Sequence, residues 1–235
     1  MNDKTLSRRG GKDDVSAFLE KVASAPLIKP AGERGRLIFA LDATASREPT
    51  WERACRIQGQ MFAAASASGG LEIQLCYYRG YGEFDASPWL RQADDLVKRM
   101  TAVHCLGGYT QVAKLLRHAI GETRIKKVDA VVFVGDCMEE NAERLCELAG
   151  QLGILTVPVF VFQEGPDPVA EQTFRQIARL TRGAFCHFDA SSAQELRDLL
   201  NAVAVYASGG RRALEDYGRR RGGIALQLTH QMHRD

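Results

Sequence analysis

Asp42, Thr44 and Ser46 stand at alternate positions where the apolar run in Arg36–Ser46, RLIFALDATAS, gives way to polar residues. Three hard oxygen donors on one short turn suit a divalent cation such as Mg²⁺. The same residues also fit a plain strand end, with Asp42 closing the strand, Ser46 capping the next helix and Glu48 in its first turn. Two other stretches carry similar chemistry. Gly107-Gly108-Tyr109-Thr110 leads into the helical pattern Gln111–Ile120, so the glycine pair lets the backbone approach a ligand and Thr110 falls at the positive end of a helix. An ordinary turn with a threonine cap is the alternative. Val128–Gly135, VDAVVFVG, ends in Asp136, the second apolar strand pattern to terminate in an aspartate.

These residues need elements to hold them. Leu37, Ile38, Phe39, Ala40 and Leu41 are apolar without alternation, the pattern of a strand covered on both faces. Trp51–Ala67 reads as a long helix closed by Gly69-Gly70, and Leu71–Arg79 as a strand with one face more polar than the other. Gly80–Ser87 suggests a hairpin to a short edge strand, and Pro88–Thr101 a helix with Pro88 in its first turn. Leu145, Leu148, Ala149 and Leu152 form a helical stripe that Gly153 closes. The rest reads as a strand over Ile154–Phe162, a helix over Val169–Thr181, a strand over Ala184–Phe188 and a helix over Ala190–Ala207. Strands alternating with helices predict a doubly wound, mostly parallel α/β sheet with helices on both faces and one short antiparallel edge strand. In such a sheet the carboxyl ends of neighbouring strands open onto one crevice, so Asp42, Thr44, Ser46, Thr110 and Asp136 could share one cation.

The expected organisation is an N-terminal arm over 1–35 with a short amphipathic helix from Asp13 to Pro26, one domain over 36–207, and a basic tail over 208–235. Residues 36–210 carry 18 basic and 21 acidic side chains, whereas 211–235 carry 6 and 3. A mildly acidic body with a short basic end does not describe a nucleic-acid binder. The six cysteines, Cys55, Cys76, Cys105, Cys137, Cys146 and Cys186, show no C-x-x-C and point to free thiols in a reducing compartment. The polar start MNDKTLSRRGGKDD lacks an apolar signal region, and Gly153–Phe162 is too short to span a membrane, so a soluble cytoplasmic protein is expected.

Asp42, Thr44 and Ser46, then Thr110, then Asp136 stand in an order that resembles the von Willebrand factor A (VWA) domain family over about residues 36–207. That family's metal-ion-dependent adhesion site (MIDAS) is written D-x-S-x-S, a distant Thr and a distant Asp. The resemblance implies that Ser46 and Thr44 or Thr110 offer direct hydroxyl ligands to Mg²⁺ or Mn²⁺, with the aspartates acting largely through water. It also implies an open coordination position filled by a partner's Asp or Glu, and an adaptor role in a cytoplasmic assembly such as one built on an AAA+ ATPase. The family commonly reads Thr-Asp-Gly at the last acid, whereas this chain reads Gly135-Asp136-Cys137 and continues with Met138, Glu139 and Glu140. Cys137 is expected to pack, and Glu139 and Glu140 to start the next helix.

Two other functions were open at this level. A strand ending in Asp42 and a later Gly135-Asp136 also faintly resemble the haloacid dehalogenase phosphatases, but their chemistry needs a second acid two residues after the nucleophile and Thr44 stands there. A metal-free VWA scaffold, binding through its tail and N-terminal helix, is the other. No G-x-x-x-x-G-K-[ST] and no G-x-G-x-x-G after a strand suggests nucleotide binding. His104 and His118 lack ligand spacing, and Cys186 and His187, neighbours on one strand, face opposite ways.

Overall fold

Every residue of β1 (Gly35–Asp42) is buried, and a strand covered on both faces belongs in the middle of its sheet. The computed structural model, described over residues 34–49, 51, 71–188 and 201–207, places it there. The other strands are β2 (Leu71–Arg79), β3 (Glu83–Ala86), β4 (Ala130–Gly135), β5 (Val159–Glu164) and β6 (Phe185–Phe188). Their order is β3-β2-β1-β4-β5-β6, and all pairs are parallel except β2–β3. The β2–β3 turn runs through Gly80 at φ +58° and Gly82 at φ +147°, conformations that favour glycine. This is the doubly wound α/β architecture with one antiparallel edge strand that the alternation of strands and helices predicts.

Helices cover both faces because successive residues of β1 point opposite ways. Leu37, Phe39 and Leu41 pack with Trp51, with Leu96 and Met100 of α1 (Ala93–Thr101), and with the helical residues 201–207. Ile38 and Ala40 pack on the other side with α2 (Val112–Ile125), α3 (Ala142–Ile154) and α4 (Pro168–Leu180). Asp42 shares the parity of Ile38 and Ala40 and therefore faces this second layer.

Several boundaries differ from the sequence expectation. The segment after Ser87 is not yet helical: Ile73 and Leu90 exchange both backbone hydrogen bonds, at 2.8 and 2.7 Å, so the chain follows the edge of β2 before α1 starts at Ala93. α2 continues to Ile125, beyond the expected end at Ile120. Gly153 does not stop α3. A Cβ there would lie 2.2 Å from the Leu180 carbonyl oxygen, so this glycine lets α3 approach the end of α4. Ile154 ends the helix instead of starting a strand, and β5 begins only at Val159 after a turn with Thr156 at φ 55°. The polar face of β2 is also buried, since Glu72 pairs with Arg91 at 2.9 Å and Gln74 meets His118 Nε2 at 2.8 Å. The expected N-terminal helix, nearly all of the Trp51–Ala67 helix with its Gly69-Gly70 end, Cys55, most of the Ala190–Ala207 helix and the basic tail lie outside the described residues.

The α3 boundary yields the first prediction. Leu152 is fully buried, whereas Ile154, two residues on, is 84% exposed. Leu152→Ala should lower the unfolding free energy by about 2–5 kcal/mol, and Ile154→Ala should change it by less than about 0.5 kcal/mol. Urea unfolding of the two variants checks this; equal losses would place Ile154 in the core.

Candidate metal centre

Asp42 is the last residue of β1 and is 0% exposed. A carboxyl group in that position needs donors, and it has them. Its Oδ1 accepts the Thr44 N–H at 2.8 Å, and its Oδ2 accepts the Tyr78 hydroxyl at 3.1 Å. Tyr78 lies opposite Asp42 in the β1–β2 register, and its carbonyl accepts the Ala43 N–H at 2.9 Å. Tyr78 was not among the residues singled out from the sequence, because strand periodicity gives a face but not a register across to the neighbouring strand.

The chain then tightens into a 3₁₀ turn over Ala45–Arg47. Thr44, at the head of this turn, makes no side-chain cap, and its hydroxyl lies 3.1 Å from that of Ser46. Thr44 is buried and Ser46 is exposed, so the hydroxyl pair runs from the interior to the rim. The loop before α2 is tied to the same turn. Leu106 donates its N–H to the Ala43 carbonyl at 3.0 Å and forms an isolated bridge with Thr44.

Of the glycine pair, Gly107 has open space where a Cβ would lie, and Gly108 approaches backbone. A Cβ at Gly108 would sit 2.0 Å from the Gly80 carbonyl oxygen, so this glycine lets two stretches of backbone touch. Tyr109 donates its N–H to that same oxygen at 3.3 Å. Thr110, buried at the end of the loop, gives both its hydroxyl (2.8 Å) and its N–H (3.1 Å) to Glu139 Oε2.

Asp136 follows β4, the strand next to β1, and is partly buried. Its Oδ1 is inaccessible to water and has no hydrogen-bond partner among the described residues. Glu139 and Glu140, expected to open the next helix, instead reach back to the preceding loop and helix. Glu140 accepts the N–H groups of Val112 and Ala113 and so satisfies the first turn of α2. α3 starts later, at Ala142, where the Asn141 side chain accepts the Arg144 N–H at 2.9 Å.

Burial pushes the Asp42 carboxyl up to about 6; its hydrogen bonds to Thr44 oppose that shift, the negative charge of Asp136 adds to it, and Arg47 opposes it. The two aspartates therefore lie close enough to repel. Burial, with the neighbouring Asp136, pushes the Cys137 thiol up to about 12, so it remains protonated; it is partly exposed and belongs to neither core cluster, whereas packing was expected. Among the described residues no three His, Cys, Asp or Glu side chains form a ready metal-ligand group. The arrangement offers two acids in mutual repulsion, an unpartnered buried carboxylate oxygen and a pair of hydroxyls, a set of hard oxygens that fits a small divalent cation.

The remaining reactive side chains are accounted for. His118 is held by Gln74, and His187 pairs with Glu171 at 3.0 Å while Cys186 is buried on the other side of β6. The five cysteines among the described residues are free.

No protein-family model matches the chain, and no curated protein matches its sequence. Solved structures do match its fold. The VWA domain of SpRpn10 superposes with a TM-score of 0.57 at 14% identity, covering 72% of this chain and 94% of that one. The pilus adhesin SpaC from Lactobacillus rhamnosus GG gives 0.58 at 10% identity over 76% of this chain and 30% of the adhesin. Proximal thread matrix protein 1 from the mussel byssus, solved with a zinc-occupied MIDAS motif, gives 0.55 at 11% identity over 73% of this chain and 46% of that one. The chain thus has the VWA fold, and it spans less than half the length of the latter two proteins.

The buried acid makes stability depend on pH. The folded Asp42 carboxyl keeps its proton up to about pH 6, whereas an unfolded one releases it near its ordinary value of 3.8. Its contribution is therefore full below pH 3.8 and is lost as pH rises through 6. Asp42→Asn, which stays neutral and keeps an acceptor for Thr44, should exceed the wild type in stability above pH 6 by up to about 3 kcal/mol, with the difference closing below pH 4. Urea unfolding in EDTA at several pH values tests this; a gap that does not change with pH would mean that Asp42 carries no unrelieved charge.

Proposed function

We propose that this chain is a metal-dependent protein-binding module in which Asp42, Thr44, Ser46, Thr110 and Asp136 hold Mg²⁺ or Mn²⁺ and a partner's Asp or Glu completes the coordination. The observation that carries the reading is the Asp136 Oδ1 atom, sealed from water without a partner among the described residues and close enough to Asp42 to raise its carboxyl. A buried carboxylate oxygen left in that state costs about 1–3 kcal/mol or more, and a cation removes the cost. The hydroxyls of Thr44 and Ser46 would act as neutral donors, and the Tyr78 hydroxyl and Thr44 N–H would fix Asp42 behind them. A divalent ion, when bound, supplies positive charge at the rim that attracts an incoming carboxylate.

Support from outside the chain is the fold it shares with an adhesin and with a matrix protein solved with metal in its MIDAS. The same reading assigns the module to the cytoplasm, as an adaptor for an assembly such as an AAA+ ATPase complex; the free cysteines and the family resemblance support that placement. Phosphatase chemistry is disfavoured on a specific ground. Thr44 stands two residues after Asp42, where that chemistry needs a second acid as proton donor.

Calorimetric titration with Mg²⁺ and Mn²⁺ tests the proposal. The wild type should bind one ion saturably, and Asp136→Asn and Asp42→Ala should each bind at least about tenfold more weakly. Equal affinity in all three proteins would remove the site. Partner binding that persists in EDTA would favour a metal-free scaffold.

A further inference from the structure

Building on the proposed metal site, we infer that Glu139 is an in-chain carboxylate ligand that takes the coordination position otherwise open to a partner's acid. Glu139 is an exposed side chain, and such a glutamate ordinarily samples many rotamers. Here its Oε2 is fixed by the Thr110 hydroxyl at 2.8 Å and the Thr110 N–H at 3.1 Å, and its own N–H donates to Thr110 Oγ1 at 3.2 Å. Two hydrogen bonds thus hold the carboxylate, and a third holds the Glu139 backbone, against the threonine that the site draws from the second loop. Its other oxygen, Oε1, has a single and weak contact among the described residues, the Cys137 thiol at 3.9 Å. No lysine or arginine among the described residues pairs with it.

The neighbouring Glu140 shows how an acid here is otherwise used. Each of its oxygens accepts one N–H, from Val112 and Ala113, so its carboxylate is committed to the first turn of α2. Glu139 instead presents a carboxylate with one oxygen anchored and the other available, three residues after Asp136 and on the same rim. With Glu139 as a ligand, the acids of the site neutralise more of the cation's charge, and the pull on a partner's carboxylate weakens. An acidic partner then has to displace Glu139 to bind. In the sequence Glu139 follows Gly135-Asp136-Cys137, which stands where the resembled family commonly reads Thr-Asp-Gly.

The test uses the full chain and Mn²⁺, with affinity read by calorimetry and metal-bound water read by proton relaxation. Glu139→Gln keeps an oxygen acceptor for Thr110, and its melting in EDTA should match the wild type. It should bind Mn²⁺ at least about tenfold more weakly and relax water protons more strongly per bound ion, because water takes the vacated position. Sodium acetate should recover part of the lost affinity in this variant and leave the wild type unchanged. If Glu139→Gln matches the wild type in affinity and relaxation while Asp136→Asn binds weakly, the role of Glu139 is overturned and the site stands. If the wild type does not bind Mn²⁺, or Asp136→Asn binds it equally, the site reading falls and this inference with it.

Discussion

The structure turns on a carboxyl group sealed into the end of its central strand. Asp42 lies on the face that Ile38 and Ala40 bury against α2, α3 and α4, and it is closed off from water. A charge so placed survives only with donors aimed at it, which the register of β2 and the tight turn supply through Tyr78 and Thr44. Even so the carboxyl is pushed up to about 6, which measures how incomplete that compensation is. The fold tolerates an acid in its core that is only partly compensated. Such strain is expected at functional sites, where local stability gives way to binding.

What surrounds Asp42 is a rim whose loops are tied to one another. The turn after β1 holds the loop before α2 through Ala43 and Leu106, and that loop packs on the β2–β3 turn where Gly108 meets Gly80. The segment after β4 closes the circuit: Glu140 caps α2, and Glu139 grips Thr110. Three stretches far apart in sequence are thereby held to one another. Because Glu139 and Glu140 are adjacent, the cap that fixes α2 also fixes the reach of Glu139.

Much of this was legible from the chain. Unalternated apolar runs in β1, β4 and β5 identified the buried parallel strands. The misreadings share a cause. Glu139 and Glu140 were assigned to the next helix because acids suit a first turn, but the α2 N-terminus offered them unsatisfied N–H groups from another part of the chain. Gly153 and Gly108 were read by local rules, as a helix stop and a ligand contact, and both turned out to mark places where segments distant in sequence press together. Ile154 joined an apolar run that looked like a strand, although the chain needs a turn to leave α3 before β5 can begin. Tyr78 was recognised as part of a strand and missed as a partner of Asp42. Periodicity fixes which way a residue points, and only pairing fixes what it points at.

Arg47 shows why the acids of the site are left short of positive charge. It is a fully buried residue on the Ala45–Arg47 turn, five residues from Asp42, and it lowers the Asp42 carboxyl only as the last of the named influences. Its Nε lies 3.2 Å from Glu164 Oε2 at the end of β5, so its charge is shared with a third acid. A buried ion pair of this kind contributes little net stability but penalises any arrangement that breaks it, so it pins the turn to the carboxyl end of β5. The cation nearest the site in the chain is thereby spent on holding the turn in place. Had Arg47 been free to swing toward Asp42 and Asp136, the chain would have neutralised its own acids. Anchored to Glu164, it leaves the Asp42 carboxyl raised beside Asp136, whose buried Oδ1 has no partner among the described residues.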